Sequence, residues 1–280
     1  MVLLGEVLAD LTAESAEVDA LVADRPEADW HRSTPAAGWT VAHQVAHLAW
    51  TDNACLRALA DPAGFLTALG ALDDPTTVAD RGAEEFLDRP GPLLARWRAG
   101  RGQLNEALAG FPDGQKIPWY GPPMSPISMA TSRIMETWAH GLDIADALGV
   151  TRPATARLRH IAHLGHRTLA FSFLAHGRPA PTAPVRLELT APDGSLWTYG
   201  PADASDQLTG PALDFCLLVT QRRHRDELEL RAAGPVATEW LEVAQAFAGP
   251  PGPGREVGAV PAASDGHGNA AASDGSGAAR

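Results

Sequence analysis

The strongest constraint on the fold of this chain is the way proline and glycine divide its first 178 residues. Between these breaks, apolar residues recur three or four positions apart, which is typical of amphipathic helices. The helices should end near Asp61-Pro62, Gly110, Gly149 and Gly177. The spacing predicts long helices over about residues 2–24, 40–60, 90–109, 127–148 and 155–175, with shorter helices and turns over 63–88. Four or five long amphipathic helices with short connections pack as a helical bundle.

The sequence pattern changes after about residue 180. Apolar and polar residues alternate from Val185 to Thr190, and Pro192-Asp193-Gly194 then supplies a turn, which predicts a β-hairpin. Helix, strand and helix follow over about 208–222, 227–232 and 236–247. We therefore expect an α+β protein, with a helical bundle over residues 1–178 and a small α+β domain over 180–248. Residues 249–280 are rich in Gly, Ala, Ser and Pro, which predicts a disordered tail.

Charge and composition limit the class of partner. The 280 residues carry a net charge of −12, which argues against nucleic acid or an anionic membrane surface as partner. No apolar run is long enough to span a bilayer, and the first residues lack the basic start of a signal peptide. Cys55 and Cys216 lie in apolar helical patterns, which favours buried free thiols over a disulfide. These features predict a cytoplasmic protein that acts on a small molecule.

The fourth predicted helix contains METWAH, which places Glu136 and His140 on one helix face, one turn apart. The second contains VAHQVAHLAW, whose His47 lies in an apolar segment and should face the bundle interior. A buried imidazole needs a partner, and bundle-core metal sites are built from facing helices. Two histidines and one carboxylate leave a position open, as in catalytic zinc sites. The alternatives are a chance Glu/His pair on an exposed helix and, for His43, a residue at the surface or behind the ligands.

A second group of histidines occurs in the segment HIAHLGH. His160, His163 and His166 follow one another at intervals of three, so they drift around the helix, and no carboxylate lies nearby in sequence. This spacing does not predict a metal site. His163 is a candidate for contact with substrate or with the ligands, and the other two are interpreted as ordinary, partly exposed histidines.

The segments GWTVAHQVAHLA and RIMETWAHGLDIADALG resemble the mycothiol-dependent maleylpyruvate isomerase family, within the DinB-like metal-binding bundles. The resemblance covers roughly residues 1–248. In that family a histidine of the second helix and the Glu and His of an E-x3-H helix bind the metal. The resemblance therefore implies that His47, Glu136 and His140 bind a divalent metal, and zinc is the metal expected.

The same resemblance implies a catalytic arginine. The family's L-x-G-R segment corresponds to LLVTQRRH here, which assigns the role to Arg222, although Gln221 stands where the family has glycine. Arg222, with Arg223 as a substitute, would pair with a substrate carboxylate. Trp119 and Tyr120 would either wall the pocket or pack their loop onto the bundle. The segment WYGPPMS is similar to members without an assigned substrate.

The chemistry that the resemblance implies uses a low-molecular-weight thiol, mycothiol, as cofactor. Zinc lowers the pKa of a bound thiol, and the resulting thiolate could add to an electron-poor double bond or displace a leaving group. Isomerisation of a maleyl-type diacid would consist of addition, bond rotation and elimination. Two other hypotheses stay open, namely a zinc-hydroxide hydrolase or lyase, and a metal-binding or regulatory protein without turnover.

Overall fold

A computed structural model describes residues 3–112, 114–252 and 254–258 of the chain. Helices form most of the first 175 residues, and a small sheet with two further helices follows. The α-helices of the described residues are α1 (Leu4–Val22), α2 (Glu27–Trp30), α3 (Val41–Ala60), α4 (Pro62–Gly70), α5 (Val78–Phe86), α6 (Pro90–Ala109), α7 (Pro126–Leu148), α8 (Leu158–Arg167), α9 (Leu169–Ala175), α10 (Ala212–Val219) and α11 (Pro235–Val243). The strands are β1 (Val185–Thr190), β2 (Leu196–Tyr199), β3 (Asp206–Pro211) and β4 (Arg231–Ala233).

The bundle is formed by α1, α3, α6 and α7. Helix α7 packs against both α1 and α3, and α3 also packs against α6. Apolar faces meet in two clusters, one containing Leu11, Leu104 and Ile134 and the other containing Val45 and Trp97. Burial of these apolar surfaces supplies most of the force that holds the helices together. Among the described residues, no helix combines the length and hydropathy required to cross a membrane.

The long helix predicted over 155–175 is divided into α8 and α9 at Thr168. The hydroxyl groups of Thr168 and Ser172 both donate to the carbonyl of Gln245, over 2.8 Å and 3.0 Å. Backbone at Thr168 departs from helical geometry, with ψ near 8°. The break therefore coincides with a contact to the segment after α11, which the periodicity of residues 155–175 does not encode.

The C-terminal sheet has four strands in the order β2-β1-β3-β4. The predicted hairpin is present as β1 and β2, whereas β3 runs parallel to β1. The sequence pattern placed a helix over 208–222, but residues 206–211 form β3 because Leu208 is buried in the sheet core and Gly210-Pro211 precedes the helix. Asp206 accepts hydrogen bonds from two backbone amides that begin α11, which fixes this helix against β3. The α+β fold class predicted from the sequence is confirmed.

The segment after α11 continues along the protein as far as the structure describes it. The side chain of Gln245 donates to the carbonyl groups of Phe247 and Gly249, each over 3.0 Å. The amide of Gly258 donates to Glu227 over 2.9 Å. The disordered tail was predicted over residues 249–280, and the part of it beyond residue 258 lies outside the described residues.

Candidate metal centre

Three side chains from two facing helices converge at the centre of the bundle. His47 comes from α3, and Glu136 and His140 come from α7, which packs against α3. Each offers one ligand atom, and these atoms all lie within 4.8 Å of one another. The Nε2 atoms of both imidazoles are 3.3 Å from Oε2 of Glu136. The structure thus brings together the pair that helical spacing selected, Glu136 and His140, and the histidine that its apolar segment selected, His47.

This spacing suits a zinc-type ion. Ligand atoms about 2.1 Å from a shared ion at tetrahedral angles are separated by about 3.4 Å, which is close to the two 3.3 Å separations observed here. The site is largely enclosed, since the His47 side chain is 8% exposed and that of Glu136 17%. Nδ1 of His47 is buried and has no hydrogen-bond partner among the described residues. Two imidazoles and one carboxylate are a donor set that zinc prefers.

A chain of hydrogen bonds behind the site fixes which nitrogen of His140 carries the proton. The hydroxyl of Thr34 donates to the Trp39 carbonyl over 2.9 Å, so it must accept from the amide nitrogen of Gln44, 2.8 Å away. The amide oxygen of Gln44 then faces Nδ1 of His140 at 2.6 Å. Because that oxygen can only accept, Nδ1 carries the proton. Nε2 of a neutral His140 therefore presents a lone pair toward the carboxylate of Glu136.

The charge states of these two residues make that arrangement unfavourable without a cation. Burial lowers the pKa of His140 to about 4, assisted by the neighbouring His47 ring, so His140 is neutral near pH 7. The guanidinium of Arg133, 3.8 Å from the carboxylate of Glu136, favours the ionised form of that carboxylate. A lone pair thus faces a carboxylate oxygen in a nearly enclosed site. A cation between the two atoms would turn this repulsion into coordination.

Replacing Gln44 tests the tautomer argument. Gln44→Leu is expected to weaken zinc affinity by roughly 10- to 100-fold, because His140 loses the acceptor that orients its ring. Gln44→Glu is the matched control, since a carboxylate still accepts from Nδ1 and should keep the affinity near that of the wild type. Zinc titration against a competing chelator measures both. Equal affinities for the Leu variant and the wild type would contradict the assigned tautomer.

Two tryptophans form the wall around the three ligand atoms. The Trp39 ring stacks on His140 at 5.9 Å between centroids and lies 5.2 Å from the ring of His47. Trp50 lies 5.8 Å from His47 on the same helix. A Cβ at Gly82 in α5 would come within 2.3 Å of the Trp50 ring. Glycine at this position therefore lets α5 approach closely enough to hold Trp50 beside the site.

Arg222 follows a tight turn at the end of α10. The amides of Gln221 and Arg222 donate to the carbonyl groups of Leu218 and Leu217, each over 2.9 Å, which is the Schellman pattern. Gln221 adopts a φ of 57°, in the left-handed region where glycine is favoured. Gln221 therefore adopts a backbone conformation that glycine favours, and Arg222 follows it immediately after the end of α10.

The guanidinium of Arg222 contacts α7, the helix that also carries Glu136 and His140. Its Nη2 is 3.0 Å from Asp143, which follows His140 by one helical turn, and its Nη1 donates to the carbonyl of Thr220 over 2.6 Å. The charge of Arg222 contributes to the lowered pKa of His140. Both terminal nitrogens are therefore engaged, while Nε is buried without a hydrogen-bond partner among the described residues.

Arg223, predicted as a substitute for Arg222, occupies a different position. Its two terminal nitrogens reach the two oxygens of Asp146 over 2.9 Å each, in a bidentate pair. This geometry is well suited to holding two surfaces together. Arg223 therefore attaches the end of α10 to α7 and leaves the position beside His140 to Arg222.

The two predicted pocket aromatics make different contacts. Trp119 is buried, stacks on Phe65 at 6.0 Å, and carries the guanidinium of Arg133 over its ring at 5.6 Å. Tyr120 is only partly buried and lies 5.9 Å from Trp50. Trp119 therefore packs behind Arg133, whose guanidinium lies 3.8 Å from Glu136, and beside Tyr120, 5.1 Å away. Tyr120 and Trp50 line a cavity of about 160 Å³, which is separated from the three ligands by the Trp50 ring.

The other described histidines lie outside the three-residue cluster. The prediction for His160 is wrong, because this side chain is buried and its Nε2 lies 2.7 Å from a carboxylate oxygen of Asp10. His43 accepts from the amide of Thr40 over 3.2 Å at the start of α3 and lies 3.3 Å from Glu84. His163 is exposed and lines a separate cavity of about 330 Å³ between the bundle and the sheet. Other side chains around that cavity are Ser128, Thr131, Arg159, His160, Arg167 and Tyr199.

Inspection of the sequence did not single out three residues that shape the site, namely Gln44, Trp39 and Arg133. Gln44 and Arg133 are polar but nearly fully buried, at 0% and 2% exposure. Each lies three residues before a ligand of the same helix, so helical spacing alone could have placed it near that ligand. Trp39 precedes α3 in a loop, and no periodic pattern identifies it.

The sequence has close relatives and matches known families. A family model described as the mycothiol maleylpyruvate isomerase N-terminal domain matches residues 11–145, and one described as wyosine base formation matches residues 181–232. Two uncharacterized proteins of Mycobacterium tuberculosis, from strains CDC 1551 / Oshkosh and ATCC 25618 / H37Rv, are each 53% identical over 253 residues. The alignment covers 90% of this chain and 98% of each relative.

Solved structures show the same fold. The crystal structure of the mycothiol-dependent maleylpyruvate isomerase superposes with a TM-score of 0.55 at 14% identity, covering 79% of this chain and 90% of that one. A histidine-to-alanine mutant of that enzyme gives a TM-score of 0.57 at 13% identity, covering 84% and 96%. The family match, the relatives and the shared fold agree, and the chain belongs to the mycothiol-dependent maleylpyruvate isomerase family of DinB-like proteins.

Proposed function

We propose that this protein is a metal-dependent enzyme that uses a low-molecular-weight thiol, mycothiol, to isomerise or modify a small acidic or electrophilic substrate. The observation that carries the proposal is the lone pair of His140 facing Glu136, with His47 Nε2 at the same distance from that carboxylate. This arrangement supports a divalent cation, with zinc favoured by two nitrogen donors and one oxygen. The family to which the chain belongs supports the thiol.

His47, Glu136 and His140 would hold the ion, and an ion held there would lower the pKa of a thiol and make a thiolate available near neutral pH. The chain's own residues supply the positioning. Gln44 keeps Nε2 of His140 available as a ligand. Trp39 covers the two imidazole rings and limits the access of water.

The cofactor and the substrate would enter from different sides. The cavity beside Trp50 and Tyr120 offers aromatic surface and the polar side chains of Arg57 and Arg81, which suits the polar body of a thiol cofactor. Arg222 approaches from the sheet side and would bind a substrate carboxylate. We assign Tyr120 to the cofactor and Arg222 to the substrate.

The direct test incubates zinc-loaded protein with mycothiol and a cis maleyl-type diacid, and follows conversion to the trans isomer by NMR. Arg222→Lys should reduce kcat/KM on the order of 100-fold, because lysine cannot reproduce the geometry of a guanidinium toward a carboxylate. Arg225→Lys is the control, since Arg225 is 40% exposed and pairs only with surface carboxylates. The control should turn over like the wild type.

Two outcomes would contradict the proposal. Turnover that proceeds equally well without thiol would point to hydrolysis or lyase chemistry at the same centre. Full activity of Arg222→Lys would show that Arg222 does not bind a substrate carboxylate in the way proposed.

A further inference from the structure

The described part of the C-terminal segment brings another arginine to the metal side of the domain interface. Arg255 donates from Nη2 to Oδ1 of Asp143 over 2.7 Å and from Nη1 to the carbonyl of Pro35. Pro35 belongs to the loop that also carries Trp39, which stacks on His140. The guanidinium of Arg255 is therefore held between α7 and the loop that covers the metal centre, and its side chain is only 14% exposed.

Asp143 is shared by two guanidinium groups. Arg255 contacts one carboxylate oxygen at 2.7 Å, and Arg222 contacts the other at 3.0 Å. The Asp143 side chain is 1% exposed, and both arginine side chains are 14% exposed. Arg223 and Asp146 pair beside this cluster, so the neighbouring groups comprise three arginines and two aspartates, which leaves a surplus of one positive charge in a largely buried position. Buried charges are normally compensated, so this cluster favours one more anion.

Hydrogen-bond donors are also left over in the cluster. Nε of Arg222 and Nε of Arg255 are both buried without a hydrogen-bond partner among the described residues. Burial lowers the pKa of Arg255, Asp143 opposes that effect, and the charge of Arg222 adds to it. A carboxylate would supply both the missing charge and the missing acceptors.

We propose that Arg255 and Arg222 form an anion subsite beside the metal centre, and that this subsite takes one carboxylate of the substrate. The inference rests on the proposed function for its substrate. It narrows the substrate to an organic acid whose free carboxylate binds the two arginines while its reactive carbon faces the three metal ligands. A C-terminal segment thus contributes a specificity-determining residue to a site that is otherwise built by the bundle and α10.

The test measures the binding of maleate to the zinc-loaded full chain by isothermal titration calorimetry, in the absence of thiol. Arg255→Gln should weaken maleate binding by roughly 10-fold or more, as expected for the loss of a charge-assisted hydrogen-bonded pair. Zinc content should stay unchanged, because Arg255 lies outside the three ligands. Glu256→Gln, at an exposed position of the same segment, is the control and should bind maleate like the wild type.

A structural role for Arg255 predicts a different result. If Arg255 only ties the segment to α7, the Gln variant should melt at a lower temperature while its affinity for maleate is unchanged, and this outcome overturns the proposal. Arg255→Lys keeps the positive charge and should recover part of the affinity for maleate. This variant replaces Arg255→Gln in the test if the Gln variant folds poorly. Absence of maleate binding by the wild type also overturns the subsite. If Arg255→Gln binds maleate more weakly than the wild type but the protein binds no zinc or shows no thiol-dependent turnover, only the proposed function is overturned.

Discussion

His47→Ala is expected to abolish stoichiometric zinc binding and the thermal stabilisation that zinc gives to the wild type. His47 is the only ligand that α3 contributes to the cluster among the described residues, so its loss removes the connection through the metal between α3 and α7. Zinc at about 100 times its Kd should raise the Tm of the wild type by roughly 5–10 °C. The His47→Ala variant should show almost none of this increase.

Elemental analysis and melting curves with and without chelator measure this effect. His43→Ala is the matched control, because His43 lies one turn earlier on the same helix and caps its start instead of joining the cluster. It should retain zinc and the zinc-dependent increase in Tm. Glu136→Gln should lose less zinc affinity than His47→Ala, because an amide oxygen can still coordinate the ion. The Glu136→Gln variant should nevertheless lose turnover. Wild-type zinc content in His47→Ala would mean that the three residues do not form the site.

Asp52→Asn is expected to destabilise the protein strongly, whether or not zinc is present. Asp52 is fully buried and lies 2.8 Å from Arg101, which also donates to Thr137 over 3.2 Å. Arg133, equally buried, lies nearby on α7 and contacts Glu136 at 3.8 Å. Removing the charge of Asp52 leaves two arginines in the core with reduced compensation. Breaking a buried pair from one side costs about 3–5 kcal/mol.

A loss of that size lowers Tm on the order of 10 °C in a chain of this length. Thermal unfolding followed by circular dichroism measures it. Asp19→Asn is the matched control, because it breaks a pair with Arg98 at the surface, where solvent screens the interaction. The control should change Tm little. Equal effects of the two substitutions would show that the buried charges are compensated by groups other than Asp52.

Local periodicity predicted the helices of the bundle well, because each long helix has an apolar face and a clear break at its end. Long-range contacts decided the features that were missed. Strand β3 depends on pairing with β1, and its short sequence includes a glycine and a proline that disfavour a strand when taken alone. The break at Thr168 depends on a carbonyl 77 residues away in sequence. Neither signal is present within the segment itself.

Glu136 and His140 could be paired from sequence because a helix converts a spacing of four into a shared face, and the apolar segment around His47 predicted that His47 faces the bundle interior. The residues around these ligands could not be predicted from the sequence, because their contacts join distant segments. Gln44 donates to Thr34 in the preceding loop, and Arg255 donates to a carboxylate 112 residues away. Arg222 was assigned by resemblance, and its role stays a prediction; Gln221 before it adopts the left-handed conformation that glycine favours. The tautomer of His140 follows only from the complete hydrogen-bond chain.

The most direct test of the metal centre is an anomalous difference map, collected at the zinc absorption edge from crystals of zinc-loaded protein. The geometry predicts one strong peak at bonding distance from His47, Glu136 and His140, with Nε2 of His140 as the coordinating atom and its Nδ1 still bonded to Gln44. A map without a peak at this position, or with the zinc bound elsewhere on the chain, would contradict the account.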